Sequence, residues 1–241
     1  VPDTPIAYCG AAPLPGELMT VWNLDPVLLA GLGVLAWACH ARATRPGAAW
    51  AGFALAVLVF VSPLCNLTSA LFSARVLHHV LLTAAIAPLL VRGFGLERFA
   101  IGGGLAAAGV HAVLMWLWHM PGAYAWGLGS VPGYWLMQAT LLLSALWLWS
   151  VILGRAGGAA LGAAAASFIQ MGMLGAVIVF ASVPLYGAHL LTTAPWGLTA
   201  LEDQQLAGLL MWVPAAGPYM AAILWQVMVL LREDEPAAGH A

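Results

Sequence analysis

Residues 73–91 read SARVLHHVLLTAAIAPLLV, an apolar run long enough for a membrane helix, with an arginine and two adjacent histidines at its mouth. Each ionisable group placed in hydrocarbon costs about 2.5–3.5 kcal/mol on insertion scales, so such residues face a bundle interior and mark a site. The stretch predicts an all-α, polytopic membrane bundle organised around His78 and His79.

Composition agrees. Of 241 residues, 63% are hydrophobic and 7% charged, against about 25% charged in a soluble domain. The lipid bilayer is therefore the first partner. Seven arginines, no lysine and nine acids give a formal net charge of −2, too few cations for a nucleic-acid footprint. The three cysteines, Cys9, Cys39 and Cys65, have neither a CxxC spacing nor an even count, so no zinc module or disulfide framework is indicated.

The first 24 residues contain proline and glycine and no apolar run, and read as an outer tail, neither signal peptide nor span. Apolar segments of the length needed for about 30 Å of hydrocarbon follow at 26–41, 49–71, 75–95, 100–119, 132–154, 160–186 and 203–231, about seven transmembrane helices in one domain spanning 1–241. Arg42, Arg45, Arg92, Arg98, Arg155 and Arg232 fall on one side, which positive-inside bias makes cytoplasmic. The N-terminus is then outside and the C-terminus inside, with residues 232–241 an acidic, disordered cytoplasmic tail. Arg75 breaks the rule, and pairing with Asp203 or Asp25 would explain it.

Alternating helix direction brings soft and ionisable groups to the outer face: Cys65 and Asn66, then Arg75, His78 and His79, then His119 and Met120, then His189, and finally Asp203 and Gln204. Imidazole with sulfur suits Cu(I). Adjacent helical residues point about 100° apart, so His78 and His79 cannot both face one site. Arg75, His79 and Thr83 at i, i+4, i+8 form the inward stripe, and His78 falls to the side, towards a neighbouring helix or the headgroups. His111, in mid-span, either hydrogen-bonds across helices or relays a metal ion. Cys9 could reach the site, pair with Cys65, or stay free. Tryptophans including Trp118 and Trp149 suit interfacial belts, and PAAGP at 214–218 frees backbone carbonyls in the last span.

With these residues in view, the chain resembles the bacterial CtaG-like cytochrome c oxidase assembly family over most of its length. The resemblance rests on VFVSPLCNL (59–67), SARVLHHVLLTAAIAPLLV (73–91), LWHMPGAYAWGL (117–128) and LTALEDQQLAGLLMWVPAAGPYM (198–220). It places His79, His119, Asp203 and Gln204 at positions the family's motifs stress. It implies a multi-pass protein of the bacterial inner membrane with oxidase subunits as partners, and a periplasmic copper donor upstream. Arg75 stands where the family's helix tends to carry a first histidine, and Tyr134 and Gln138 stand where histidines are common.

Two readings follow. One is a copper-handling assembly factor, not an enzyme, that exchanges Cu(I) among His79, His119, Cys65, Met120, Asp203 and His78, with Arg75, Gln204 and His111 in support. The other is a metal-free accessory subunit bound to a respiratory oxidase. A proton-coupled transporter built on His79 and Asp203 finds no inverted repeat to support it.

Overall fold

The computed structural model describes residues 7–154 and 157–233, and these form eleven α-helices with no strand among them. Local chemistry sets where the helices begin. Proline occupies the first or second helical position of α1 (Pro26–Arg42), α2 (Pro46–Phe60), α3 (Pro63–Ala70), α7 (Pro121–Gly129) and α8 (Val131–Ile152), where its missing N–H costs nothing; Pro88 in α5 (Ala87–Phe94) lies instead inside a continuous helix. Asp25 accepts from the amides of Val27 and Leu28 at 2.7 and 2.9 Å to cap α1. Ser62 caps α3 and Ser130 caps α8. Thr199 and Glu202 close a reciprocal capping box on α10 (Ala200–Trp212).

At the centre lies α4 (Phe72–Leu81), which continues through a π-helical turn at Leu82–Ile86 into α5. Pro88 has no amide to return to the turn behind it. The Thr83 carbonyl instead accepts from the Trp149 indole at 2.8 Å, and the Thr83 hydroxyl donates to the His79 carbonyl at 2.8 Å. Trp149 is thus a buried hydrogen-bond donor and not the interfacial anchor expected; Trp118, buried and donating to Thr140 at 2.9 Å, is a second exception. Around this helix pack α2, α8 and α10. The remaining helices are α6 (Gly104–His119), α9 (Gly158–Phe180) and α11 (Ala216–Glu233).

All seven expected segments contain helix, and among the described residues four helices are long and apolar enough to cross a membrane: 72–94, α8, α9 and the 33-residue pair 200–232. The pair α2 and α3, bent by 47°, makes a fifth if it counts as one span. At about 1.5 Å per residue, α1 with 17 residues and α6 with 16 fall short of about 30 Å of hydrocarbon. Several long apolar helices make this a multi-pass membrane protein.

Three further boundaries differ from expectation. The stretch 120–131, left between the expected segments 100–119 and 132–154, contains α7, started by Pro121. α9 stops at Phe180, not near 186, and the chain then returns through short 3-10 turns that bury His189. α11 runs to Glu233, so Arg232 belongs to a helix and not to a disordered tail; residues 234–241, and Arg155, lie outside the described residues. Residues 7–25 do not hang free. Cys9 is bonded to Cys65, and Tyr8 stacks on Tyr134 at 4.5 Å.

The two ends of the bundle differ in charge. At the end opposite the disulfide, Arg45 pairs with Glu97 at 2.6 Å and also donates to the Arg92 carbonyl at 3.2 Å. Burial by itself would raise the Glu97 carboxyl, but hydrogen bonds from Arg45 and from its own backbone, with the charges of Arg45 and Arg92, hold it below its usual range. A depressed carboxyl stabilises the fold above its unfolded value, and that contribution disappears as pH falls through the folded one. Arg45 is half exposed, so the pair is worth about 0.2–1 kcal/mol. Acid scans should therefore show Glu97→Gln costing a little stability at pH 7 and nothing once the wild-type carboxyl is protonated.

α9 and α10 touch backbone to backbone at Gly175 and Gly208. A Cβ on Gly208 would lie 2.7 Å from the Gly175 carbonyl oxygen, and one on Gly175 would lie 2.9 Å from that of Gly208. Small residues permit such approach between membrane helices. Gly208→Val should cost about 1–3 kcal/mol by overpacking, a Tm loss of roughly 2–12 °C at this size, read by thermal scanning in detergent. Gly217→Val, which meets open space, is the control.

Candidate functional site

The site is positioned by the start of α4. Leu71 leaves the preceding turn extended, and the first amides of α4 need acceptors. Asp203, reaching across from α10, supplies them: Oδ2 accepts from the Phe72 amide at 2.7 Å, and Oδ1 accepts from the Ser73 amide at 3.2 Å and from the Ser73 hydroxyl. Both oxygens accept hydrogen bonds at a helix terminus, and the ion pair expected between Asp203 and Arg75 is not formed. Its neighbour Gln204 accepts from the Leu185 amide at 2.6 Å and donates to the carbonyls of Ile178 and Val183 at 3.4 and 3.3 Å. Gln204 therefore anchors the turn leaving α9.

One turn into α4 stand three buried side chains, Arg75, His78 and His79. The inward stripe of Arg75, His79 and Thr83 is observed. His78 departs from expectation: it is fully buried too, edge-on to Phe60 of α2 at 5.0 Å, with neither ring nitrogen hydrogen-bonded. α4 is enclosed on almost every side, so no headgroup-facing side exists for His78 to occupy.

The His79 ring lies 5.7 Å from that of His119, at the end of α6, nearly perpendicular to it. His119 places Nδ1 at 2.7 Å from the Met115 carbonyl. A carbonyl can only accept, so the network assigns the proton to Nδ1. The Nε2 lone pair is left buried and without a partner. His79 Nε2 is 3.5 Å from the Gln138 amide nitrogen on α8, while His79 Nδ1 has no partner. Two imidazoles thus meet with a free lone pair on at least one of them. His111 lies deeper in α6 and bonds Ser144 of α8 at 2.9 Å, an interhelical hydrogen bond.

Arg75 is fully buried, and Nε, Nη1 and Nη2 all lack a hydrogen-bond partner. Its guanidinium lies over the Tyr134 ring at 5.3 Å. The pairing expected with Asp203 or Asp25 is absent, because both carboxylates cap helices. Tyr124 of α7, between two expected spans, bonds His189 Nε2 at 2.6 Å, while His189 Nδ1 lies 3.3 Å from the Ala70 carbonyl. Burial pushes the His189 imidazole down to about 4 despite that carbonyl, so at neutral pH it carries one proton, on Nδ1, and Tyr124 is the donor. The hydroxyl in PGAYAWGL was the available sequence signal for Tyr124.

Two further expected ligands do not join this cluster. The Cys65 sulfur is bonded to Cys9, with Cα atoms 5.3 Å apart, so no thiolate is present in this form. The Cys9 carbonyl accepts from Asn66, and Tyr134 Oη lies 3.7 Å from the Cys9 sulfur. Met120 is 58% exposed, because α6 ends at His119 and the chain turns outward into α7. Among the described residues no group of three or more His, Cys, Asp or Glu side chains is arranged to hold a metal ion. What assembles is a pair, His79 and His119, flanked by His78, Gln138 and Arg75.

A family model described as cytochrome c oxidase caa3 assembly factor (Caa3_CtaG) matches residues 98–233, more than half of the chain. The match includes His119, Tyr134, Gln138, Asp203 and Gln204 and begins after α5, so it does not extend to Arg75, His78 and His79. No curated protein and no solved structure matches.

The cap assignment of Asp203 can be checked directly. Asp203→Ala removes the acceptors for two buried amides and should cost about 0.5–2 kcal/mol, lowering Tm by several degrees, while Asp203→Asn keeps one acceptor oxygen and should lose less. Equal losses in the two variants would contradict the capping role.

Proposed function

The chain belongs to the cytochrome c oxidase caa3 assembly factor family, and from that premise we propose that it binds Cu(I) between His79 and His119 and passes it to an oxidase subunit by ligand exchange. The observation that carries this reading is the His119 imidazole. Its Nδ1 proton is held by a backbone carbonyl and its Nε2 lone pair is bare and buried, on a ring 5.7 Å from that of His79. Metal-ligating histidines are typically held this way, the second nitrogen donating to a carbonyl that fixes the tautomer. Imidazole suits copper, and a set of two ligands favours release over retention. Such a transfer exchanges imidazole–copper coordination bonds for bonds to the recipient's ligands and changes no covalent bond, so the reading involves no catalysis.

Sidedness supports it. Disulfides persist in oxidising compartments, so the Cys9–Cys65 end suits the periplasmic side of a bacterial inner membrane. The end carrying Arg42, Arg45, Arg92 and Arg98 then suits the cytoplasm, as positive-inside bias requires. A copper donor on the periplasmic side and an oxidase subunit in the membrane are the partners of this scheme.

A second reading, a metal-free accessory subunit of the oxidase, is favoured by Arg75, whose charge one turn from His79 opposes a bound cation. Copper analysis of detergent-purified protein after anaerobic Cu(I) loading separates the two. About one copper per chain in wild type and in His78→Ala, and at least tenfold less in His79→Ala and His119→Ala, is the expected result. Wild-type protein that takes up no copper and co-purifies stoichiometrically with mature oxidase would replace the first reading with the second.

A further inference from the structure

We propose that Arg75 is the receptor for a small monovalent anion bound inside the bundle beside Tyr134. A guanidinium keeps its charge in a protein interior. This one is fully buried with all three nitrogens unpartnered, and the effective cost of burying an uncompensated ion is several kcal/mol. The Tyr134 face, 5.3 Å away, offsets only part of it, since a cation over an aromatic ring gains less than the burial costs.

The buried and capping acids nearest the bundle are otherwise engaged. Asp203 spends both oxygens on the first amides of α4. Asp25 caps α1, Glu202 closes the capping box of α10 with Thr199, and Glu97 pairs with Arg45 at the far end of the bundle. Among the described residues Arg45–Glu97 is the one ion pair. No described carboxylate forms an ion pair with the Arg75 guanidinium, which leaves its donors open to a counter-ion from outside the described residues.

The groups around the guanidinium are suited to an anion and not to a cation. The Tyr134 hydroxyl faces a disulfide sulfur at 3.7 Å, which has no proton to give and accepts weakly, so its proton is available. His78, one turn on, has both ring nitrogens unpartnered and offers one N–H. Tyr124 contributes no donor, its proton being given to His189. An arginine fork with a phenol and an imidazole N–H is a set of donors without an acceptor carboxylate. The fork matches a carboxylate through two parallel hydrogen bonds, whereas a halide would take only its charge. The proposal does not depend on copper, although an anion here would also cancel the field that opposes a cation on His79.

The test uses full-length, chelator-treated protein in detergent, first dialysed into sodium gluconate, with ionic strength held constant. Equilibrium dialysis with radiolabelled chloride and, separately, radiolabelled formate measures uptake, and Tm is followed in parallel. Saturable uptake near one per chain, with formate bound more tightly than chloride and a Tm rise of a few degrees, is expected. Arg75→Gln should abolish both, and Arg75→Lys should keep chloride while weakening formate at least tenfold. Chloride bound as tightly as formate would overturn the carboxylate preference. No saturable uptake of either anion by wild type, a measurement that does not depend on any variant folding, would overturn the site itself, as would unchanged uptake in Arg75→Gln.

Discussion

A helix that carries Arg75, His78 and His79 within five residues has no stable place against hydrocarbon, and the arrangement of the bundle follows from enclosing it. α2, α8 and α10 close around the helix 72–94, making it the most buried of the candidate spans. Its terminus has the same need. The first amides of α4 are buried, and the carboxylate that satisfies them comes from Asp203, far away in sequence on α10. One side chain therefore ties the last span to the central one and fixes the depth at which the histidines stand.

The same enclosure explains why polar groups here depend on one another. The π turn after His79 leaves a carbonyl that the Trp149 indole takes up, and the His119 tautomer depends on a carbonyl of its own helix. Buried polar groups are normally partnered. Among the described residues, Arg75, His78, His79, His119 and Gln138 together carry eight of the seventeen buried side-chain atoms without a partner. A contiguous cluster of unmet donors and lone pairs is where ligands belong, a lone pair for a soft cation and a guanidinium for an anion.

The N-terminal segment adds a covalent constraint. Cys9–Cys65 fastens residues 7–25 across the end of α3, and Tyr8 stacks on Tyr134 beside Arg75. The segment is a cover for the cluster as well as a tail. Its cysteine is consumed in that fastening, which is why Cys65 is structural here and not a ligand.

Hydropathy and the placement of Arg75, His79 and Thr83 at helical spacing were enough to determine a helical membrane bundle and the inward stripe of its central helix, because both follow from short-range periodicity and the cost of charge in lipid. The motif around His119 located the second imidazole for the same local reason, at the end of an apolar segment. Periodicity could not distinguish a short helix from a span, so α1 and α6 were counted alongside four longer helices. Which partner each polar side chain finds was decided only in three dimensions. Asp203 became a cap, Met120 turned outward, Cys65 met Cys9 and Tyr124 met His189, since hydrogen bonds and disulfides between distant segments depend on approach distances that sequence spacing does not encode.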